Sequence, residues 1–270
     1  MTPPRAPPMN TQAFPSFDPA TPDPQLRDRC RGNLARVRDA VAEACRQAAR
    51  AAETVRIVGV TKYVPPAWAA MLLEAGCADL GESRPQNLWE RAAAFTAAGT
   101  PWSGARWHLI GRLQRNKVRR TLPLVSLIHS LDSRRLLDEL AAEALAQQRR
   151  VEALVEVNLD GDPGRSGIAP DGVAALLDAA AGGPVAIRGL MGMASAPTPG
   201  GPTGEDGTAR RQFALLRGLR DRHASDHPGL VELSMGMSGD FVDAILEGAT
   251  IVRIGSTLWE GMDDSEVPAG

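Results

Sequence analysis

A chain of 270 residues can hold one large domain or two small ones, and 43% hydrophobic with 23% charged residues is an ordinary globular composition. The formal net charge of −2 provides no overall attraction to nucleic acid or to an anionic membrane. No apolar run approaches a membrane span, and the N-terminus lacks the basic-then-apolar pattern of a secretory leader. The cysteines, Cys30, Cys45 and Cys77, form no CxxC pair and fit small buried hydrophobes in a reducing cytoplasm.

Taken in order, residues 1–24 carry eight prolines and little apolar periodicity, which predicts a disordered tail. From Leu26 to about Ala52, apolar residues at three- and four-residue spacing (Leu34, Val37, Val41, Cys45) predict an amphipathic helix. Arg56 to Val60 is a β-branched run with both alternating faces apolar or small. That is the signature of a strand buried on both sides, and Pro65 and Pro66 must stop it. Thereafter helix and strand alternate. Strands are expected near 78–82, 107–111, 127–131, 151–159, 185–193, 231–235 and 250–254. Helices are expected near 67–75, 85–98, 114–120, 134–148, 171–181, 209–222 and 241–247, and a Gly/Pro-rich loop covers 197–207.

Eight strands alternating strictly with helices over this length predict a single (β/α)₈ TIM barrel over residues 25–263, with a short tail at 264–270. An open doubly wound sheet is the alternative. The absence of GxGxxG after the first strand weakens a dinucleotide site there.

Lys62 falls where the first strand ends. By alternation it shares a face with Val58 and Val60, and a long cation on a buried strand tip needs a partner or a task. The chain contains two lysines, Lys62 and Lys117, against 28 arginines. A lysine kept at a strand tip suggests chemistry that arginine cannot perform, namely losing its proton and acting as a nucleophilic amine able to form a Schiff base. The plainer reading is a lysine whose stem packs on the strand end.

In a barrel the active face lies at the C-terminal strand ends, and the loops after strands seven and eight often bind phosphate. After the seventh strand comes Ser234-Met235-Gly236-Met237-Ser238-Gly239-Asp240, and Arg253-Ile254-Gly255-Ser256-Thr257 spans the eighth and its end. Both offer hydroxyls and glycine backbone suited to an anion. Arg253 shares a face with Ile251 and Gly255, and strand eight neighbours strand one if the sheet closes. A lysine, an arginine and a phosphate cradle on adjacent strand ends describe a pocket for pyridoxal 5′-phosphate.

Over about residues 27–261 the sequence resembles the YggS/PROSC family of pyridoxal phosphate homeostasis proteins. The resemblance rests on Val60-Thr61-Lys62, Gly81-Glu82-Ser83-Arg84, the run from Trp107 to Lys117, and His129-Ser130-Leu131-Asp132-Ser133. It continues through Val157-Asn158, Gly189-Leu190-Met191, Leu233 to Asp240, and Val252-Arg253-Ile254-Gly255. It implies a barrel like the N-terminal domain of alanine racemase, with pyridoxal phosphate on Lys62, Arg253 facing the pyridine nitrogen, and Ser234, Gly255 and Ser256 holding the phosphate. It also implies a carrier or regulator of vitamin B6 and amino-acid pools without an established catalytic activity; a monomer is expected, with apo-enzymes as recipients because a barrel without a second domain leaves the site mouth open. Ser83 departs from the family, which commonly has asparagine there.

A racemase on the same pocket is the alternative. It would need a tyrosine facing the lysine, and Tyr63, the chain's only tyrosine, directly follows Lys62, so in an extended strand it points away. Arg106, Arg112, Arg115, Lys117, Arg119 and Arg120 read as a solvated basic face, with a phosphorylated partner as the lesser reading. His223 and His227 lack further metal ligands and read as surface histidines, so no metal is expected. His108 and His129 read as hydrogen-bonded core histidines, with His108 reaching the pocket as the lesser reading.

Overall fold

The structure, a computed structural model, describes residues 24–99, 104–195 and 208–262. The expected tails (1–24, apart from Pro24, and 264–270) and the 197–207 loop lie outside these residues.

Helix α1 (Pro24–Gln47) buries Leu26, Cys30, Leu34, Val37, Val41, Ala44 and Cys45 along one stripe. It stops short of the expected Ala52. Ala49 turns left-handed at φ 51°, and Ala52–Thr54 forms a separate 3₁₀ turn.

The strands are β1 (Arg56–Val60), β2 (Asp79–Glu82), β3 (Arg106–Leu109), β4 (Val125–Leu131), β5 (Val151–Val157), β6 (Val185–Gly192), β7 (Glu232–Ser234) and β8 (Ile251–Ile254). All pair in parallel and in chain order, and β8 returns to β1, closing the expected barrel. Between them run α2 (Pro66–Glu74), α3 (Pro85–Ala98), α4 (Val118–Thr121), α5 (Arg134–Ala146), α6 (Val173–Ala180), α7 (Thr208–His223) and α8 (Phe241–Leu246). The helix expected over 114–120 is instead a 3₁₀ turn at Arg115–Lys117 followed by the single turn of α4. Among the described residues no helix is long and apolar enough to cross a membrane.

The outward strand faces and the inner helix faces form one large apolar core. The lumen is a different environment. Val58, Leu127, Leu154, Met191 and Ile251 make a small separate cluster inside the barrel. Registered neighbours of these residues share their face, so Arg253 (beside Val58), Ser234 (beside Ile251 and Met191) and His108 (beside Leu127) also point inward. Barrel interiors are usually filled by bulky aliphatic layers; this one is partly polar.

Two glycines allow close backbone approach. A Cβ on Gly189 would lie 1.9 Å from the Glu232 carbonyl oxygen, so β6 and β7 can pair there only without a side chain. A Cβ on Gly111 would lie 2.2 Å from the Ser83 carbonyl oxygen, which seats the loop after β3 directly on the end of β2.

Candidate functional site

The C-terminal ends of β1, β7 and β8 meet. Trp259 Nε1 donates to the Val60 carbonyl at 2.9 Å, and Gly255 backs onto Val60, where an added Cβ would be 3.6 Å from the Val60 Cβ. Lys62 therefore stands two residues beyond a strand end that is tied directly to the turn after β8.

Lys62 is not the buried cation expected from alternation. The strand ends at Val60, Lys62 is exposed on a turn, and the desolvation argument does not act on it. Tyr63 follows at φ 70°, a left-handed conformation unusual for a bulky residue. Alternation fails at this turn, so Tyr63 does not simply point away. Its ring centroid is 5.6 Å from Lys62 Nζ, and the side chain is 79% exposed.

What holds the turn lies beneath it. Arg91 on α3, buried against the barrel, donates through Nη2 to the carbonyls of Thr61 (3.0 Å) and Val64. Its Nε pairs with Glu82 Oε1 at 2.7 Å, and the Thr61 hydroxyl donates to the same oxygen at 2.6 Å. Burial pushes the Glu82 carboxyl above and the Arg91 guanidinium below their ordinary ranges, each opposed by the partner's charge. The residues on both sides of Lys62 are thus anchored by a buried ion pair.

Arg253, 4% exposed, donates through Nη1 to the Ser234 carbonyl (2.7 Å) and hydroxyl (2.8 Å), and through Nη2 to the Gly192 carbonyl (3.0 Å). Burial pulls its pKa down to about 10 against the opposing charges of Asp240 and Glu156. It remains a cation at neutral pH. Glu156, accepting from the Ser166 hydroxyl at 2.5 Å, is itself pushed up by burial.

At the end of β8 the backbone N–H groups of Gly255 and Thr257 converge on one oxygen, the Ser238 hydroxyl, at 3.2 and 3.4 Å. Two amides aimed at a single acceptor fit a phosphate oxygen, with the Ser256 hydroxyl on the exposed side of the same turn. Ser238 reaches this place because Gly236 takes φ 90° and sends the chain back over β8, where any Cβ would lie 2.6 Å from Ala244.

The expected site residues Lys62, Ser234, Arg253, Gly255 and Ser256 therefore lie on the meeting ends of three strands. Ser234 is the deepest, wholly buried and bonded to Arg253 and His129. Ser238, Arg91 and Glu82 also lie here and were given no role from sequence, whereas Thr257 stood among the donors expected after strand eight. Ser238 stood within the quoted loop, but only the turn at Gly236 decides which serine meets the β8 amides. His108 and His129 are buried and hydrogen-bonded, as expected. His227 Nε2 sits 3.3 Å from Asp178 Oδ1 near the surface. Among the described residues no cluster of metal-ligating side chains occurs. The basic stretch is partly engaged: Arg106 pairs with Asp79, and Arg120 lies 4.2 Å over the Trp89 ring.

Residues 37–262 match the family model for the alanine racemase N-terminal domain. The chain is 36% identical over 228 residues to the pyridoxal phosphate homeostasis protein of Aquifex aeolicus, covering 84% of this chain and 95% of that one. It is 38% identical over 227 residues to the protein of that name from Deinococcus radiodurans, covering 84% and 97%. Among solved structures, PipY of Synechococcus elongatus with pyridoxal phosphate bound superposes with a TM-score of 0.70 at 32% identity, covering 85% of this chain and 99% of PipY. A closed barrel with this arrangement at the ends of β1, β7 and β8, and relatives that align along nearly their whole length, lead to one conclusion: the chain belongs to the pyridoxal phosphate homeostasis proteins of the alanine racemase N-terminal domain family.

Proposed function

We propose that the protein holds pyridoxal 5′-phosphate at the barrel mouth, attached to Lys62, and carries or buffers it in the cytoplasm for vitamin B6 and amino-acid homeostasis without turning substrate over. The observation that carries this reading is the convergence of the Gly255 and Thr257 amides on the Ser238 oxygen, beside the β1 end that bears Lys62 and above the buried guanidinium of Arg253. When bound, the cofactor supplies an aldehyde that condenses with a primary amine and a ring that withdraws electrons.

The chain's residues then have distinct tasks. Lys62 supplies the amine, and its exposure on the turn leaves the side chain open to an incoming aldehyde. Gly255, Ser256, Thr257 and Ser238 hold the phosphate. Arg253 faces the pyridine nitrogen, and Ser234 serves the cofactor through Arg253 by accepting its hydrogen bonds.

Two features support carriage over racemisation. An arginine donates a hydrogen bond to the ring nitrogen but retains its own proton, which leaves the ring a weak electron sink. A two-base exchange at an amino acid's α-carbon needs a base opposite Lys62, and Tyr63 instead lies beside it on the exposed turn.

The test is direct. Purified protein mixed with pyridoxal phosphate should develop a visible absorption band that Lys62→Ala abolishes, and borohydride should fix the label on Lys62. Label on Lys117 would overturn the attachment. Incubation with L-amino acids should leave their chirality unchanged while the cofactor passes to an apo-enzyme. Racemisation at ordinary enzyme rates, lost in Lys62→Ala, would restore the racemase.

A further inference from the structure

Five of the lumen side chains bond one to the next in a line from the floor of the barrel toward its mouth. At the floor, on the first residue of β2, Asp79 accepts from Arg106 Nε (2.8 Å) and Nη2 (2.6 Å). Its Oδ1 also meets His108 Nε2 at 2.9 Å. His108 Nδ1 meets His129 Nε2 at 2.9 Å, and His129 Nδ1 meets the Ser234 hydroxyl at 2.9 Å. Arg253 donates to that hydroxyl at 2.8 Å. Asp79, His108, His129, Ser234 and Arg253 are all buried.

Each of the three middle contacts has room for one proton, and the ends decide where it sits. Asp79, already paired with Arg106, is an acceptor, so His108 carries its proton on Nε2. With its proton on Nε2, His108 offers a bare Nδ1, which requires a proton on His129 Nε2. The bare Nδ1 of His129 in turn accepts from the Ser234 hydroxyl, whose lone pairs are left facing Arg253. Every donor finds an acceptor. Running the line the other way needs both ring nitrogens of His108 to carry protons. It also strands the Ser234 hydrogen, which meets no other acceptor among the described residues. Burial first, and then the Arg253 charge, push the His129 ring toward its neutral form.

We propose that Asp79, His108 and His129 are positioning residues for Arg253: Asp79 sets the direction of the line, the line fixes the Ser234 hydroxyl, and the hydroxyl fixes the guanidinium that would meet the cofactor's ring nitrogen. Three of the five guanidinium N–H donors are spent on Ser234 and Gly192. The remaining two are therefore the ones that the hydroxyl's orientation makes available to a ring nitrogen. The last link rests on the pyridoxal phosphate reading above; the line itself does not.

Ring ¹⁵N spectra of histidine-labelled, cofactor-free protein test the line. The chain has four histidines, and His223→Gln with His227→Gln leaves only the two in the lumen. In the parent, His108 and His129 should each be protonated on Nε2. In Asp79→Leu, His129 should become a mixture of tautomers or reverse, although it does not touch residue 79. Protonation of His129 on Nδ1 in the parent would overturn the proposal, and this measurement decides the direction even where a variant fails to fold. So would an unchanged His129 in Asp79→Leu. With pyridoxal phosphate added, Asp79→Leu should shift the absorption band and weaken affinity roughly tenfold, the scale of one hydrogen bond. His227→Gln should do neither. Altered tautomers with an unaltered band and affinity would sever the line from the cofactor and overturn its positioning role. Failure of the parent to take up pyridoxal phosphate would instead sink the functional reading, and the tautomers alone would then decide the line.

Discussion

Replacing Arg91 with methionine removes one member of a buried ion pair. Glu82, fully buried, would lose the Nε partner at 2.7 Å, and the carbonyls of Thr61 and Val64 would lose their shared donor. Breaking a buried pair from one side costs about 3–5 kcal/mol because the remaining charge is left unpaired. For a barrel of this size each kcal/mol lowers Tm by about 2–4 °C, so a fall of roughly 6–20 °C is expected. The pair is imperfect even now: Glu82 Oε2 and Arg91 Nη1 are buried without a hydrogen-bond partner among the described residues. Removing both charges should consequently recover most of the loss, and Glu82→Met with Arg91→Met should unfold within about 2 kcal/mol of the parent. Stability and cofactor affinity should then part company. The double variant still lacks a donor for the carbonyls on either side of Lys62, so its affinity for pyridoxal phosphate should stay weakened by roughly tenfold or more. Thermal and urea unfolding of the four corners of the cycle, with spectrophotometric titration of each, measures both quantities. A loss below about 1 kcal/mol in Arg91→Met, or no recovery in the double variant, would refute the reasoning.

Ser238→Ala should raise the Kd for pyridoxal phosphate roughly tenfold while changing stability by less than about 1 kcal/mol, since the half-buried hydroxyl engages only the amides that meet the phosphate; equilibrium titration and a thermal melt check both. Gly189→Ala should cost more than about 3 kcal/mol, because its Cβ would lie 1.9 Å from the Glu232 carbonyl oxygen, whereas Gly239→Ala, with nothing within 4 Å, should stay within about 0.5 kcal/mol in the same melts. Burial alone would raise the Asp79 carboxyl, but hydrogen bonds from His108 and Arg106 outweigh it and hold it well below the usual range. Its folded pKa is thus depressed, so its stabilisation is full above the unfolded value of about 4 and is lost as pH falls below that. The stability gap between the parent and Asp79→Leu should narrow as pH drops below about 4, and urea unfolding across pH shows a constant gap if the assignment is wrong.

The sequence by itself determined the architecture and the order of the site. Period-two runs such as Ile57-Val58-Gly59-Val60 and the three- and four-residue spacing in α1 are local, and local periodicity encodes element type and buried face. Eight such alternations fit a barrel or an open doubly wound sheet; the closed sheet brings the tip of β1, with Lys62, beside Arg253 and Gly255 on β8. Tertiary structure decided what local pattern cannot carry. His129 and Ser234 are 105 residues apart, and nothing near either names the other as partner. Nothing in the sequence around Arg91 marks it; only the packing of α3 lays it onto the carbonyls of Thr61 and Val64 that flank Lys62. Alternation misplaced Lys62 and Tyr63, because the strand ends at Val60 and a left-handed turn replaces its pleat. Which of Ser234 and Ser238 meets the β8 amides depended on the single backbone angle of Gly236. A side chain's face is set by its neighbours in sequence, but its hydrogen-bond partner is set by whichever distant strand the closed sheet brings alongside.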